Sequence, residues 1–443
     1  MQSIDKMIEE VQEQSKKYVS PDSLGLLMNR KVVKGELYEW VKSCAYNLDL
    51  ILRHHPHFDS LFWDDFSYTI RYQGEKMSDH ETTRIKIWLE RVYEVNIPEK
   101  TIEKGMYLVA RDRPKNLFKE YLDGLEWDGE PRLDRWLIDY LGVEDTPLHR
   151  TYSKKYLVGA CRRACYSTLK NPVKFDTILI LFGGQDIMKS LAVEALAISQ
   201  EWFSDEEIDI RSKDYNYHIQ GKLLLEMAEW AGRTKDINAE KAWVTKKIDR
   251  YRPVHKSFQF EAPRRTSFII TTNESNLFRD ATGSRRFWAV ETGHDYKTDK
   301  KTGKTWASKW KLGKTVKIKD FKEIVPQLWA EAYILAQDKT FEHWLNPDEK
   351  RQRQDANAAF NDTHPWTSTV EKAVWGLTDA NHLGEWPNPL ATFETTEVME
   401  EMKLFGSEQN RKNKSIIEGI LLQLGYHKNR RRIDGKRKFV WGL

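Results

Sequence analysis

Three short and continuously apolar runs constrain the fold of this chain most strongly. They are residues 177–182, 223–225 and 267–270, and helical patterns lie between them. A strand that is apolar on both faces is expected where a sheet is covered on both sides, and strands that alternate with helices form parallel sheets. The sequence therefore predicts an α/β protein built around a parallel sheet.

Composition narrows the class of protein further. The 443 residues are 40% hydrophobic, which suffices for several packed domains and argues against intrinsic disorder. No apolar run approaches the roughly 18 residues of a transmembrane helix, and the charged start of the chain is unlike a signal peptide. Cys44, Cys161 and Cys165 are too few for a disulfide scaffold and lack zinc-site companions. We therefore expect a cytoplasmic protein with no membrane partner.

The first apolar run leads into a candidate phosphate-binding loop. Residues 183–190 read GGQDIMKS, and a helical pattern follows at once. In a P-loop, G-x-x-x-x-G-K-[ST], backbone N–H groups and the lysine bind phosphate and the hydroxyl holds Mg²⁺. The candidate phosphate-binding residues are Gly183, Gly184, Gln185, Lys189 and Ser190. Because Met188 replaces the second glycine, the loop alone is equally compatible with an ordinary strand–turn–helix.

Polar groups at the ends of the later strands fit the same chemistry. Glu226 and Glu229 are placed to hold Mg²⁺, with Ser190, or to activate water; solvated carboxylates are the alternative. Asn273 is placed to orient water or a γ-phosphate, or else caps a turn. Arg285 and Arg286 are candidate arginine fingers for a neighbouring subunit, or else surface cations. The order of these groups along the chain indicates a nucleotide site.

Longer motifs resemble one known family. They are residues 121–129 (YLDGLEWDG), 225–229 (LEMAE), 263–265 (PRR), 271–273 (TTN) and 278–288 (FRDATGSRRFW). From about Tyr121 to Thr292 the chain resembles the virulence-associated protein E family, helicase-like AAA+ ATPases of phages and phage-related pathogenicity islands. The resemblance implies a P-loop AAA+ core that binds ATP and Mg²⁺ and assembles as a ring, normally a hexamer, on DNA.

The resemblance also implies individual roles. Lys189 and Ser190 would bind phosphate and Mg²⁺, Glu226 and Glu229 would share the Walker B role, and Asn273 would be sensor 1. Arg285 or Arg286 would be the finger.

The loop nevertheless departs from the family pattern. Members usually read Gln-Gly-x-Gly-Lys-Ser, whereas here Asp186 and Met188 replace both glycines. Asp186 also places a negative charge near the site of a triphosphate. Two functions therefore stay open, a helicase or replication initiator of a mobile element and a poorly hydrolysing origin binder.

Two regions are candidates for DNA contact. Residues 250–260 are predicted to form two extended segments whose turn carries His255 and Lys256; these residues face the pore in related rings, or else form an exposed turn. At the C-terminus, helices at 366–377, 395–405 and 408–424 precede a hairpin around Asp434 and Gly435, as in a winged helix-turn-helix.

Charge favours DNA over protein as the partner of this C-terminal domain. Residues 411–443 hold ten Lys and Arg against two acids, a local charge of +8, although the whole chain is only +4. The predicted contacts with duplex DNA are Arg411, Lys412, Lys414, Arg430, Arg431, Arg432, Lys436, Arg437 and Lys438. A winged helix that binds protein is the alternative.

These observations predict five segments. They are an α/β region at 1–110, a helical connector at 111–170, the ATPase core at 171–338, a linker at 339–365 and the winged helix at 366–443. Helices are expected at 4–17 and 34–53. Within the first segment, Asp64 and Asp65 form an acidic pair that leaves a third function open, a primase-helicase.

Overall fold

A computed structural model describes most of the chain. The described residues are 19–207, 209, 212, 215–228, 242–251, 260–273, 284–298, 305–310, 314–358, 366–378, 392–424, 426–433 and 436–442. The helix predicted at 4–17 lies outside them. Within this part of the chain, none of the helices has the length and apolar character needed to cross a membrane.

The N-terminal region begins with a β-hairpin. Strand β1 (Met28–Val33) pairs antiparallel with β2 (Glu36–Val41), and helix α1 (Ala45–His54) follows. The helix predicted for 34–53 is therefore wrong over its first half. Lys34 and Gly35 both have positive φ, 52° and 86°, and two such residues make the tight turn that closes a hairpin.

A four-stranded sheet and two helices complete this region. The sheet order is β5-β4-β3-β6, and its strands are β3 (Phe62–Asp64), β4 (Thr69–Tyr72), β5 (Glu75–Lys76) and β6 (Pro114–Lys115). Helices α2 (Asp79–Tyr93) and α3 (Glu99–Arg111) precede β6. Their apolar faces join α1 in one buried core around Leu52, Leu89 and Ile102. The α/β character predicted for this region is confirmed.

The acidic pair of this region is not a pair of free carboxylates. Asp64 is fully buried, and its carboxylate accepts hydrogen bonds from the backbone N–H of Phe66 at 2.9 Å and from Ser67 Oγ at 2.5 Å. A carboxylate satisfied in this way stabilises the turn between β3 and β4. Asp64 therefore has a structural role in this turn, and the primase-helicase alternative stays a prediction.

Three helices lead from this region into the main sheet. They are α4 (Leu117–Asp123), α5 (Trp136–Leu141) and α6 (Pro147–Tyr166). Helix α6 is buried along most of its length, and the hydroxyl of its Tyr156 donates to the carbonyl of Phe268 at 2.7 Å. The segment predicted as a connector thus packs directly on the main sheet.

The main sheet contains all three apolar runs as parallel strands. Its members are β7 (Ile178–Gly183), β8 (Phe203–Ser204), β9 (Leu224–Ala228), β12 (Ser267–Thr272) and β13 (Phe287–Thr292), in the order β13-β7-β12-β9-β8. The parallel sheet predicted from the sequence is confirmed. Helices α7 (Lys189–Leu196) and α8 (Tyr215–Ile219) lie between these strands in sequence. The hairpin of β10 (Ile248–Tyr251) and β11 (Phe260–Pro263) precedes β12.

Both faces of the main sheet are covered. Leu179 and Leu181 pack into a core with α6 and α7, whereas Ile178 and Ile180 pack into a second core with Tyr215 of α8. Alternate residues of one strand therefore serve opposite faces, which explains why β7 is apolar throughout.

The chain then leaves the sheet through a hairpin and two helices. Strands β14 (His294–Thr298) and β15 (Thr305–Lys309) are followed by α9 (Ile318–Gln337) and α10 (Pro347–Ala358). Helix α10 falls inside the predicted linker. Its Asn357 is buried and donates to the carbonyl of Phe287 at 2.9 Å, and Arg353 donates to the carbonyl of Arg285 at 2.7 Å. This half of the segment is therefore packed on β13.

The C-terminal region has its own apolar core. Helices α11 (Thr367–Thr378), α12 (Thr395–Glu401) and α13 (Arg411–Gln423) precede an antiparallel pair, β16 (His427–Ile433) and β17 (Lys436–Gly442). The predicted hairpin is confirmed. Phe393, just before α12, also forms an antiparallel bridge with Trp441. Helix α12 ends earlier than predicted because Lys403 and Gly406 adopt positive φ.

Candidate nucleotide site

The candidate site lies at the carboxyl edge of the main sheet. Strand β7 ends at Gly183, the chain turns over 184–188, and α7 begins at Lys189. A cavity of about 390 Å³ opens between this loop and the ends of β9 and β12. Ligands of α/β proteins bind at this edge of the sheet, where strand order changes direction. The change occurs here at β7, since β13 lies on one side and the other strands on the opposite side.

Lys189 is held at the centre of the loop. Its ammonium donates to the carbonyl oxygens of Gly183 at 3.1 Å and Gly184 at 2.7 Å, and to Asn273 Oδ1 at 2.8 Å. The residue is only 8% exposed. Lys189 and Asn273 were both predicted to act on phosphate, and the fold brings them together although 84 residues separate them.

Glu226 lies beside the start of the same helix. It is 2% exposed, and its Oε1 accepts hydrogen bonds from Ser190 Oγ at 2.6 Å and from the hydroxyl of Thr271. Burial raises the pKa of Glu226, Asp205 raises it further, and the two hydroxyls and Lys189 oppose the shift. A carboxylate next to a hydroxyl is an oxygen donor set that suits Mg²⁺. Ser190 and Glu226 thus lie together as the metal prediction requires.

Met188 holds a backbone conformation that glycine adopts more readily. Its φ is 65° and that of Asp186 is 59°, so both residues lie in the left-handed region that a side chain disfavours. The side chain of Met188 is 41% exposed at the mouth of the cavity. Gly183 could not be replaced in the same way. A Cβ at this position would lie 2.5 Å from Thr292 Oγ1, which is too close. The loop therefore carries backbone strain at both positions where the family pattern has glycine.

Sequence reasoning missed two groups of this site. Thr271 donates to Glu226, and Asp205, at the end of β8, contributes a second negative charge. Thr271 was detectable in principle, since residues two apart in a strand point to the same face and Asn273 was already singled out. Asp205 carries no such signal because β8 has only two residues.

The two arginines lie at the opposite edge of the sheet. They occupy a short 3₁₀ turn, Ser284–Arg286, at the amino end of β13, and Phe287 pairs with Ile178 at the start of β7. A six-residue strand, about 20 Å long, separates that edge from Lys189. Arg285 is exposed, and burial together with Arg285 lowers the pKa of Arg286. One chain therefore does not bring these arginines to its own loop.

Several predicted residues have no described side chain. Glu229, His255 and Lys256 lie outside the described residues, although the strands flanking His255 and Lys256 form the expected hairpin. In the C-terminal region, Lys412 belongs to α13, Arg431 and Arg432 to β16, and Lys436 to β17.

The other basic residues of the C-terminal region have described side chains. Arg411, Lys414, Arg430 and Arg437 are exposed. Lys438 pairs with Glu394 at 2.6 Å, so its charge is already partly compensated.

Comparison with known proteins identifies the family. A search of curated proteins finds no match. Among solved structures, the apo C-terminal region of NrS-1 is similar at 14% identity with a TM-score of 0.46, covering 86% of this chain and 95% of that one. An A-form apo structure of the same region gives 13% identity and a TM-score of 0.45, covering 86% and 96%. The virulence-associated protein E-like domain matches residues 122–362, more than half of the chain, and the protein therefore belongs to that family.

Proposed function

We propose that this protein is an ATP-dependent DNA helicase or replication initiator of a phage or phage-related mobile element. One observation carries the proposal, the convergence of two pairs at the carboxyl edge of the sheet. Lys189 meets Asn273, and Ser190 meets Glu226. Lys189, Ser190 and Asn273 line one open cavity. Family membership supports the same function, because the matched domain spans the whole sheet.

Bound ATP and Mg²⁺ fit these residues. Mg²⁺ would be held by Ser190 and Glu226, and it would neutralise charge that develops on the phosphates. Lys189 would exchange its bond to Asn273 for a phosphate oxygen, because its remaining bonds to the loop carbonyls already fix the ammonium in place. Asn273 would then be released to orient the γ-phosphate or water. These roles would need only Lys189, Ser190, Glu226 and Asn273, and the contacts among these four residues support the proposal.

The place of Arg285 and Arg286 supports assembly into a ring. They lie at the edge of the sheet remote from Lys189, so they can contact ATP only on a neighbouring copy of the chain. In a ring, each interface would combine the loop of one subunit with the arginines of the next. We infer a closed homo-oligomer, normally a hexamer in this kind of motor, with single-stranded DNA in the pore.

The C-terminal region supports a second DNA contact. Its order is helix, bridge strand, two helices and hairpin, which we interpret as a winged helix-turn-helix. The basic residues Arg411 and Lys414 lie in the first turns of α13, and both are exposed. The exposed Arg430 and Arg437 belong to the hairpin. In a winged helix-turn-helix, the basic N-terminal end of the recognition helix enters the major groove of DNA, and the hairpin contacts the phosphate backbone.

Removing the charge at this end of α13 is expected to weaken duplex binding. Each phosphate contact contributes about 0.9 to the slope of log affinity against log salt, so Arg411→Ala with Lys414→Ala should lower that slope by about 2. Fluorescence anisotropy with a duplex at several salt concentrations measures it. The matched control is Lys100→Ala with Lys104→Ala, two exposed lysines of α3. A slope equal to that of the control contradicts the winged-helix proposal.

The rival function, a nucleotide-binding protein that hydrolyses ATP poorly, depends on Met188. Because Met188 already holds the left-handed backbone, Met188→Gly is expected to stabilise the fold by about 1 kcal/mol and to change ATP turnover less than about threefold. Denaturant unfolding and steady-state turnover measure the two effects. Met188→Ala is the control, since it removes the side chain but keeps the strained Cβ. A gain in turnover of a hundredfold or more would favour the rival.

A further inference from the structure

The turn between β3 and β4 holds one residue in a strained conformation. Tyr68 has a φ of 55°, although a bulky side chain disfavours the left-handed region. Its backbone N–H donates to the carbonyl of Asp64 at 2.7 Å, and the Asp64 carboxylate binds Phe66 and Ser67 within the same turn. The buried carboxylate therefore fixes the turn, and the turn fixes the direction of the Tyr68 side chain.

That side chain leaves the N-terminal region and contacts β11. Its hydroxyl donates to the carbonyl of Pro263 at 2.6 Å and accepts a hydrogen bond from Arg265 Nε at 3.0 Å. Its ring lies 5.8 Å from that of Phe260, which also packs on the N-terminal core. Burial raises the pKa of Tyr68 to about 12, so the hydroxyl keeps its proton and remains a donor. Strand β11 is thus bound at both of its ends.

A second link joins the same turn to β10. Gln220 Nε2 donates to the carbonyl of Ser67 at 2.7 Å, and Gln220 Oε1 accepts from the hydroxyl of Tyr251 at 2.7 Å. The next residue, Gly221, allows this approach, because a Cβ there would lie 2.8 Å from the Cβ of Ser67. The turn is therefore joined to β11 directly and to β10 through Gln220.

The hairpin is continuous with the nucleotide site. Pro263, the last residue of β11, lies four positions before Ser267, where β12 begins, and β12 ends directly before Asn273. Asn273 binds Lys189. The hairpin therefore leads directly into the buried strand that ends beside Asn273.

We propose that Tyr68 is a positioning residue through which the N-terminal region sets the angle of the β10–β11 hairpin and so its grip on DNA. The proposal rests on the proposed function, in which single-stranded DNA lies in the pore, and on the sequence-based expectation that His255 and Lys256 of this hairpin contact that DNA. It assigns a role to the region before the family domain, which begins only at residue 122.

The test is Tyr68→Phe, which keeps the ring and removes both bonds of the hydroxyl. Tyr72→Phe is the matched control, because its hydroxyl binds His57 within the N-terminal region. Hydrogen exchange of the amides of 248–251 and 260–263 is expected to accelerate about tenfold in Tyr68→Phe and not in the control. Exchange in β7 should stay unchanged in both. Equal exchange in Tyr68→Phe and the native chain would overturn the proposal.

Kinetics separates positioning from a general loss of structure. In Tyr68→Phe, the concentration of single-stranded DNA that half-maximally stimulates ATP hydrolysis should rise at least about threefold. The rate without DNA and the KM for ATP should not change. Gln220→Met, which removes the second link, is expected to behave in the same way. An unchanged DNA requirement in both variants contradicts the proposal.

If single-stranded DNA does not change the rate of ATP hydrolysis by the native chain, the proposed function is wrong. Hydrogen exchange alone then decides whether Tyr68 sets the angle of the hairpin.

Discussion

Lys189→Ala is expected to weaken the binding of MgATP about 10- to 100-fold. The ammonium would make one charge-assisted hydrogen bond to phosphate, worth about 1.5–3 kcal/mol, and its loss corresponds to about one to two orders of magnitude in affinity. The substitution also removes the bonds to Gly183, Gly184 and Asn273 that hold the loop. Titration with a fluorescent ATP analogue in the presence of Mg²⁺ measures the dissociation constant.

The control for this prediction is a lysine that lies outside the candidate site. Lys100 is exposed on α3, and Lys100→Ala should bind MgATP like the native chain. If Lys189→Ala binds as tightly as Lys100→Ala, the loop is an ordinary strand–turn–helix and not a phosphate site.

Glu226→Gln is expected to abolish hydrolysis while making the nucleotide-free protein more stable. The amide keeps an oxygen that accepts from Ser190 and Thr271, so packing and hydrogen bonds survive. It lacks the charge that would hold Mg²⁺, and turnover should fall on the order of 100-fold or more. Steady-state turnover and the melting temperature, measured on the same preparation, give the two results.

The gain in stability should depend on pH with a definite sign. Burial raises the pKa of Glu226 above its value in the unfolded chain. A carboxyl group with a raised pKa favours folding fully below its unfolded pKa, near 4.3, and this contribution is lost as the pH rises through the folded pKa. The stability that Glu226→Gln gains over the native chain should therefore be absent near pH 4 and present at neutral pH. An advantage that is largest in acid would contradict this account of Glu226.

Much of the main sheet was predictable because its strands are buried on both faces. Continuous apolar runs over 178–181 and 267–270 leave few alternatives to a parallel sheet, and polar residues directly after such strands meet at one edge. The meeting of Lys189 with Asn273, and of Ser190 with Glu226, follows from that rule. The C-terminal hairpin of β16 and β17 was equally predictable, since Asp and Gly lie between its strands in sequence.

Other parts depend on tertiary context that a pattern does not contain. Residues 36–41 have a helical spacing of apolar groups, yet the Lys34–Gly35 turn pairs them with β1. The polar helix α10 shows no apolar periodicity. Asn357 and Arg353 hold it in place by binding backbone carbonyls of β13 and of the 3₁₀ turn before that strand. The structural role of Asp64 also depends on tertiary context, because a buried carboxylate that accepts hydrogen bonds and a catalytic carboxylate look alike in sequence.

The central claim is that ATP hydrolysis at this site is coupled to DNA. The most direct measurement is the rate of ATP hydrolysis by the native chain with and without single-stranded DNA, with Lys189→Ala measured alongside. The account predicts hydrolysis that single-stranded DNA accelerates severalfold and that Lys189→Ala lacks under both conditions. A native rate that equals that of Lys189→Ala, with DNA and without it, would contradict the account.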